Sequence, residues 1–233
     1  MKIYFNFDDG DLNTFKLVKL FEKYQLPVFL FIPKFNAERK VISPNDIKYI
    51  NSDLVNFGAH TLNHIRLNIV DDYEILNELY SSKIYLEDIL NKEIKHFCYP
   101  GGKYNSKSLN YALNIYKTVR TADTMSFHTD NKRIINPFFH FYNRGKKSLI
   151  FNSFKNNTLN YETFNLIYKY DYFDFLQKYI TFLHSNSFDN DIIIFGHSWE
   201  ITNYNLWKSL ENLLSFISIN FPYSVKNYEF INE

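Results

Sequence analysis

The chain reads as an α/β fold built on a parallel sheet, open or closed into a barrel. Apolar runs of strand length alternate with segments whose apolar residues recur at helical spacing. The clearest strands, at 28–32 and 192–195, show no polar alternation, the mark of strands buried on both faces. Several strands also end in residues capable of chemistry, and parallel sheets bind ligands at the C-terminal ends of their strands. With 233 residues, 45% of them hydrophobic, the chain is long enough for one domain with a substantial core, and 1–233 is read as a single domain.

Ile3-Tyr4-Phe5 is a short buried strand ending in Asn6-Phe7-Asp8-Asp9-Gly10. Alternation along a strand sends Asp8 and Asp9 different ways, so one can hold a metal while the other faces water. Gly10 permits a sharp turn beside them. Residues 12–24 form a helix through Leu17, Leu20, Phe21 and Tyr24. The 28–32 run is the second strand, and Ser43-Pro44 caps a short helix to about Asn51. Residues 55–59 make a third strand that delivers His60, and Asp71 caps a long helix over 73–90. A strand at 96–99 stops at Pro100-Gly101-Gly102, a helix covers 106–116, and a strand at 118–122 carries Arg120. The stretch from 123 to 160 has no clear period beyond a candidate strand at 140–142 and a loop at Asn156-Asn157. A helix follows at 173–183, then the 192–195 strand delivering Gly196-His197, a helix at 204–219 and a terminal strand near 225–230.

Composition narrows the function. The 26 basic and 25 acidic residues argue against a nucleic-acid partner, which calls for a basic excess. The one cysteine, Cys98, excludes an intramolecular disulfide and a cysteine zinc cluster, and its apolar surroundings suggest a buried thiol. No apolar run spans a bilayer, and no secretory signal is seen, so the expected location is cytoplasmic. Aromatic residues make up 19% of the chain, and most of them must be core. The oligomeric state is left open.

His60-Thr61-Leu62-Asn63-His64 places two imidazoles four residues apart, close together on a helix or in a tight loop. Two imidazoles and a carboxylate make an open metal site. His197 suits a general acid for a departing amine. Trp199 walls a sugar pocket or, more simply, packs in the core. Each feature alone has a plainer reading: a turn, two unrelated histidines, a buried histidine. Ser198 lies outside any Gly-x-Ser-x-Gly elbow, and no phosphate-binding loop is present. A magnesium-dependent phosphatase or receiver-type site would use Asp8-Asp9 but leave the histidines without roles.

In order, Asn6-Phe7-Asp8-Asp9-Gly10, His60-Thr61-x-x-His64, Phe97-x-Tyr99-Pro100-x-Gly102 and Phe195-Gly196-His197 resemble the signatures of the polysaccharide deacetylases, the NodB-like carbohydrate esterase family four. The resemblance covers about residues 3–200 and implies an irregular, incomplete (β/α) barrel. It also implies a metal-dependent hydrolase that removes an N-acyl group, acetyl first among candidates, from an amino sugar or glycan precursor. By position, Asp8 matches the base, Asp9, His60 and His64 the triad for one divalent ion, usually zinc, and His197 the acid. The Gly101 amide matches an oxyanion donor. Tyr99, Pro100, Phe195 and Trp199 are the expected substrate-binding residues, with Phe195 lining the acyl pocket. The family's arginine in the third motif is replaced by Cys98, and Arg120 is the expected substitute. Its tryptophan-containing fourth motif is missing, leaving Asp123 as the candidate to orient His197. A catalytically impaired carbohydrate-binding relative is the alternative.

Overall fold

The computed structural model describes residues 1–127, 131–188, 191–228 and 231. Its elements run β1 Lys2–Asp8, α1 Thr14–Lys23, β2 Val28–Ile32, α2 Pro44–Ile50, β3 Val55–Ala59, α3 Asp72–Leu90, β4 His96–Cys98, α4 Ser106–Ile115, β5 Thr118–Arg120, β6 Ile134–Ile135 and β7 Phe139–His140. Then come α5 Gly145–Lys155, α6 Tyr161–Lys169, α7 Tyr172–Ser185, β8 Asp191–His197, α8 Ser198–Asn203 and α9 Trp207–Asn220. The strands form one sheet in the order β6-β5-β4-β3-β2-β1-β8-β7, with every pair parallel. The two-residue strands β6 and β7 lie at opposite ends of the order, so the barrel is incomplete.

The strand interiors are mostly apolar because both faces are covered. Ile3, Phe5, Leu30 and Ile192 join the large core shared with the helices. Their alternate neighbours Tyr4, Phe29, Phe31 and Ile193 enter a smaller cluster with Cys98, Ile135, Tyr228 and Ile231. Tyr228 seals that cluster, meeting Phe29 at 4.8 Å and Tyr4 edge-on at 5.9 Å. The terminal strand expected near 225–230 is replaced by this plug. Val225 makes a single bridge to Ile3, while residues 229 and 230 lie outside the described residues.

Helix ends follow local chemistry. Ser43 and Asp46 form a reciprocal capping box with Pro44 in the first turn, and the Asp71 carboxylate caps Glu74 N–H. The region without a clear period holds β6, β7 and α5. Strand β7 occupies 139–140 rather than 140–142; the helix expected at 204–219 is α9, starting at Trp207, and a further short helix, α8, precedes it where none was expected. No helix among the described residues is long and apolar enough to cross a membrane.

Candidate active site

Strand register assembles one rim. Asp8 at the end of β1 is the partner of His197 at the end of β8, and Cys98 at the end of β4 is the partner of Arg120 at the end of β5. Strand β3 ends at Ala59 and hands the chain to His60. Side chains far apart in sequence thus emerge side by side.

Asp9 lies just past β1 with φ 74, so a left-handed turn, rather than strand alternation, separates it from Asp8. Thr61 (φ 58) and His64 (φ 55) are left-handed too, and this loop, not a helix, brings the rings of His60 and His64 to 5.1 Å. Non-glycine residues held at positive φ gather where a site demands them. Gly10, at φ 57, completes the turn, and a Cβ there would lie 2.9 Å from Ile32 Cγ2.

His60 Nδ1 is 2.8 Å from the Cys98 carbonyl oxygen, which can only accept. The proton therefore sits on Nδ1, and Nε2 presents a lone pair. Asp9 Oδ1 lies 2.9 Å from His64 Nε2 and 3.4 Å from His60 Nε2, yet it is buried with no hydrogen bond. Ligand atoms of Asp9, His60 and His64 lie within 4.8 Å of one another. Asp9 Oδ2 is occupied: Arg39 Nη1 (3.0 Å) and Trp199 Nε1 (2.8 Å) donate to it, and the Arg39 guanidinium lies over the Trp199 ring at 4.1 Å. An orphaned carboxylate oxygen and a lone pair aimed at it fit a divalent cation.

Asp8 faces a different group of partners. Its Oδ2 accepts from Arg120 Nη2, and the Cys98 thiol lies 3.8 Å away. Arg120 is fully buried, donates Nη1–H to the Thr121 carbonyl, and stacks over Phe195 at 4.7 Å. The guanidinium reaches Asp8 past the small Cys98, whose Sγ is 2.8 Å from Nη2. Burial pushes the Cys98 thiol well above its ordinary pKa, so it is no nucleophile. Asp8 Oδ1 is buried with no hydrogen-bond partner.

His197 points Nε2 at Asp8 Oδ2, 3.8 Å away, and donates Nδ1–H to Glu200 Oε2 at 2.6 Å. His140 Nε2 shares that same Glu200 oxygen at 2.8 Å. Burial lowers His140 to about 4 despite Glu200, so it stays neutral. Burial also opposes the charge on His197, but the bond to Glu200 and the charges of Asp9, Glu200 and Asp8 push it up to about 9. Burial raises and the two imidazoles lower Glu200, to about 2. His197 is therefore cationic at neutral pH, between two carboxylates.

Several expected residues lie elsewhere. Asp123 pairs with Lys155 at 2.7 Å on the surface; Glu200 takes the place at His197 expected of it. The Tyr99 ring is buried between Phe97 and Tyr104, with its hydroxyl on the Ser108 carbonyl, so alternation turns it to the helices and away from the rim. Pro100 is buried, whereas Gly101 is exposed at φ 59 in the turn that follows β4. Phe195 is buried against His140 at 4.2 Å, between that ring and Arg120. Trp199 is half-buried at the rim rather than in the core. Ser198 donates to Asp11 and is buried, which excludes it as a nucleophile. Sequence reasoning missed Arg39, His140 and Glu200. Only Glu200 left a signal, three residues after His197, where α8 begins.

The polysaccharide deacetylase family model matches residues 1–118. No curated protein sequence matches the chain. Among solved structures, Streptococcus pyogenes deacetylase PplD in complex with acetate aligns at 22% identity and TM-score 0.53, over 57% of this chain and 62% of that one. The chain thus spans less than two thirds of that protein's length. The Bc1960 peptidoglycan N-acetylglucosamine deacetylase aligns at 16% identity and TM-score 0.62, over 99% of this chain and 87% of that one. BA3943 from Bacillus anthracis, a CE4 family pseudoenzyme, aligns at 11% identity and TM-score 0.56, over 99% and 64%. At these identities the likeness establishes a shared fold.

Proposed function

The chain belongs to the polysaccharide deacetylase family, and from that premise we propose that it is a metal-dependent hydrolase removing an N-acyl group, acetyl first, from an amino sugar or glycan precursor. The observation that carries this reading is the orphaned Asp9 Oδ1 between two imidazole nitrogens, with Asp8 and His197 alongside. Asp9, His60 and His64 would hold one divalent ion, zinc being the first candidate, which supplies Lewis-acid polarisation of water and the scissile carbonyl.

The remaining roles belong to this chain's own groups. The free Oδ1 of Asp8 takes a proton from water as the water oxygen bonds to the acyl carbon. Arg120, fixed on the other oxygen, holds Asp8 oriented. The Gly101 amide donates to the developing oxyanion. As the carbon–nitrogen bond breaks, His197 Nε2 gives its proton to the nitrogen, and the products are a carboxylic acid and a free amine. Glu200 keeps His197 charged and aimed. Phe195 and Trp199 bound the acyl and sugar sides.

Two measurements on purified protein test this: the metal content, and acetate release from N-acetylglucosamine oligomers with and without added zinc. Bound metal and metal-dependent acetate release support hydrolysis. Sugar binding without release, with metal bound, would favour a carbohydrate-binding relative without turnover, a case that the pseudoenzyme BA3943 makes concrete.

A further inference from the structure

Helices α5 and α6 form an antiparallel hairpin between β7 and β8, tied by Lys146 Nζ donating to the Tyr168 carbonyl at 2.8 Å. Leu149, Ser153, Thr163 and Ile167 face inward. The opposite faces carry aromatic residues in water: Phe151 is 67% exposed, Phe154 74%, Tyr161 78% and Tyr168 77%. Lys147, Phe151 and Phe154 recur at i, i+4 and i+7, and with Ile150 and Leu159 they line an apolar hollow of about 350 Å³. Residues 144–169 hold five of the chain's Lys and Arg residues but only one acidic residue, Glu162; one of the five, Lys155, pairs with Asp123 from the loop after β5, and the hairpin keeps a basic excess although the whole chain is nearly neutral.

Aromatic side chains ringed by cations match the boundary of a bilayer with anionic headgroups: the rings enter the acyl boundary and the ammonium groups meet the lipid phosphates. A second copy of the chain would bring like charges together across a two-fold interface. We propose that the α5–α6 hairpin is a docking surface for anionic lipid bilayers. It stands at the rim side of the sheet. Asn152 Nδ2 donates to Thr124 Oγ1 (3.0 Å), Asn156 Nδ2 to the Thr124 carbonyl (2.7 Å) and Thr158 Oγ1 to the Met125 carbonyl (2.9 Å), in the loop that follows β5. Docking would therefore offer the rim a substrate carried on a lipid. That consequence rests on the proposed deacetylase activity; the docking does not.

Co-sedimentation of the full chain with vesicles of phosphatidylglycerol and phosphatidylcholine, against phosphatidylcholine alone, tests it without any activity readout. Binding is expected to be about tenfold stronger to the anionic vesicles and to weaken with salt. The exposed double variant Phe151→Ser/Phe154→Ser should lose about tenfold in binding with an unchanged melting temperature, and Lys147→Glu should lose less. The proposal is overturned by equal binding to both vesicles, by no binding to either, or by a double variant that binds like the parent. Light scattering that shows a dimer abolished by the double variant would assign the face to a second copy and overturn it as well.

Discussion

Two clusters of identical composition, two histidines and one carboxylate each, flank Asp8. At Asp9, His60 and His64, the carboxylate oxygen facing the imidazoles has no hydrogen bond, and His60 is locked with its lone pair outward. At Glu200, His140 and His197, both imidazoles bond to one carboxylate oxygen, at 2.8 and 2.6 Å. The first arrangement fits the proposed cation; the second already holds a proton. Residue type leaves the two clusters alike, and the placement of the hydrogens separates them.

The comparison can be broken most severely on the first side. Asp9→Ala or His64→Ala is expected to take metal content from about one ion per chain to nearly none, with turnover following. Elemental analysis checks this, and retention of a full equivalent by both variants would remove the cation site. Asp8→Asn, between the clusters, should keep the metal while turnover falls about 10²- to 10⁴-fold. An active, metal-bound Asp8→Asn protein would end its assignment as base.

The second side should respond to pH. His197, pushed up to about 9, is charged at neutral pH, so acid assistance is lost as pH rises through that value. Because the folded pKa lies above the ordinary 6.5, the pairing also contributes stability that is full below 6.5 and gone above about 9. In Glu200→Gln the alkaline limb of kcat should move toward neutral pH, with roughly a tenfold loss at pH 8. A pH–rate profile reads this directly, and an unmoved limb would detach Glu200 from the acid. His140→Gln should have the smallest effect, costing about 1 kcal/mol for the hydrogen bond that steadies Glu200. Thermal melting measures that cost, with metal content expected to stay constant.

Sequence reasoning located most of the rim because strand ends are legible. An apolar run with no polar alternation, followed by Asp-Asp-Gly or by a histidine, marks a buried strand and what it delivers. The family resemblance implied a guanidinium that Cys98 cannot supply, strand order offered Arg120 from the next rim position, and in the structure Arg120 donates to Asp8. Sequence reasoning failed at Asp123, which faces Lys155, because a carboxylate near a strand end carries no information about which way it turns. Arg39 sits in a polar loop with no period, and His140 on a strand of two residues, too short to show one. Glu200 was hidden by starting the last helix at Tyr204, when the chain turns into α8 directly at His197.

The amino-acid order by itself determined the alternating parallel architecture and the identity of Asp8, Asp9, His60, His64 and His197 as the groups to watch. Burial on both faces of a strand and the residue that follows are local properties of a short segment. Only the tertiary structure decided which oxygen is orphaned, which imidazole is charged and which partners hold them. Those answers depend on angles and distances between segments up to about 190 residues apart, such as Asp9 and Trp199, and no local pattern encodes them.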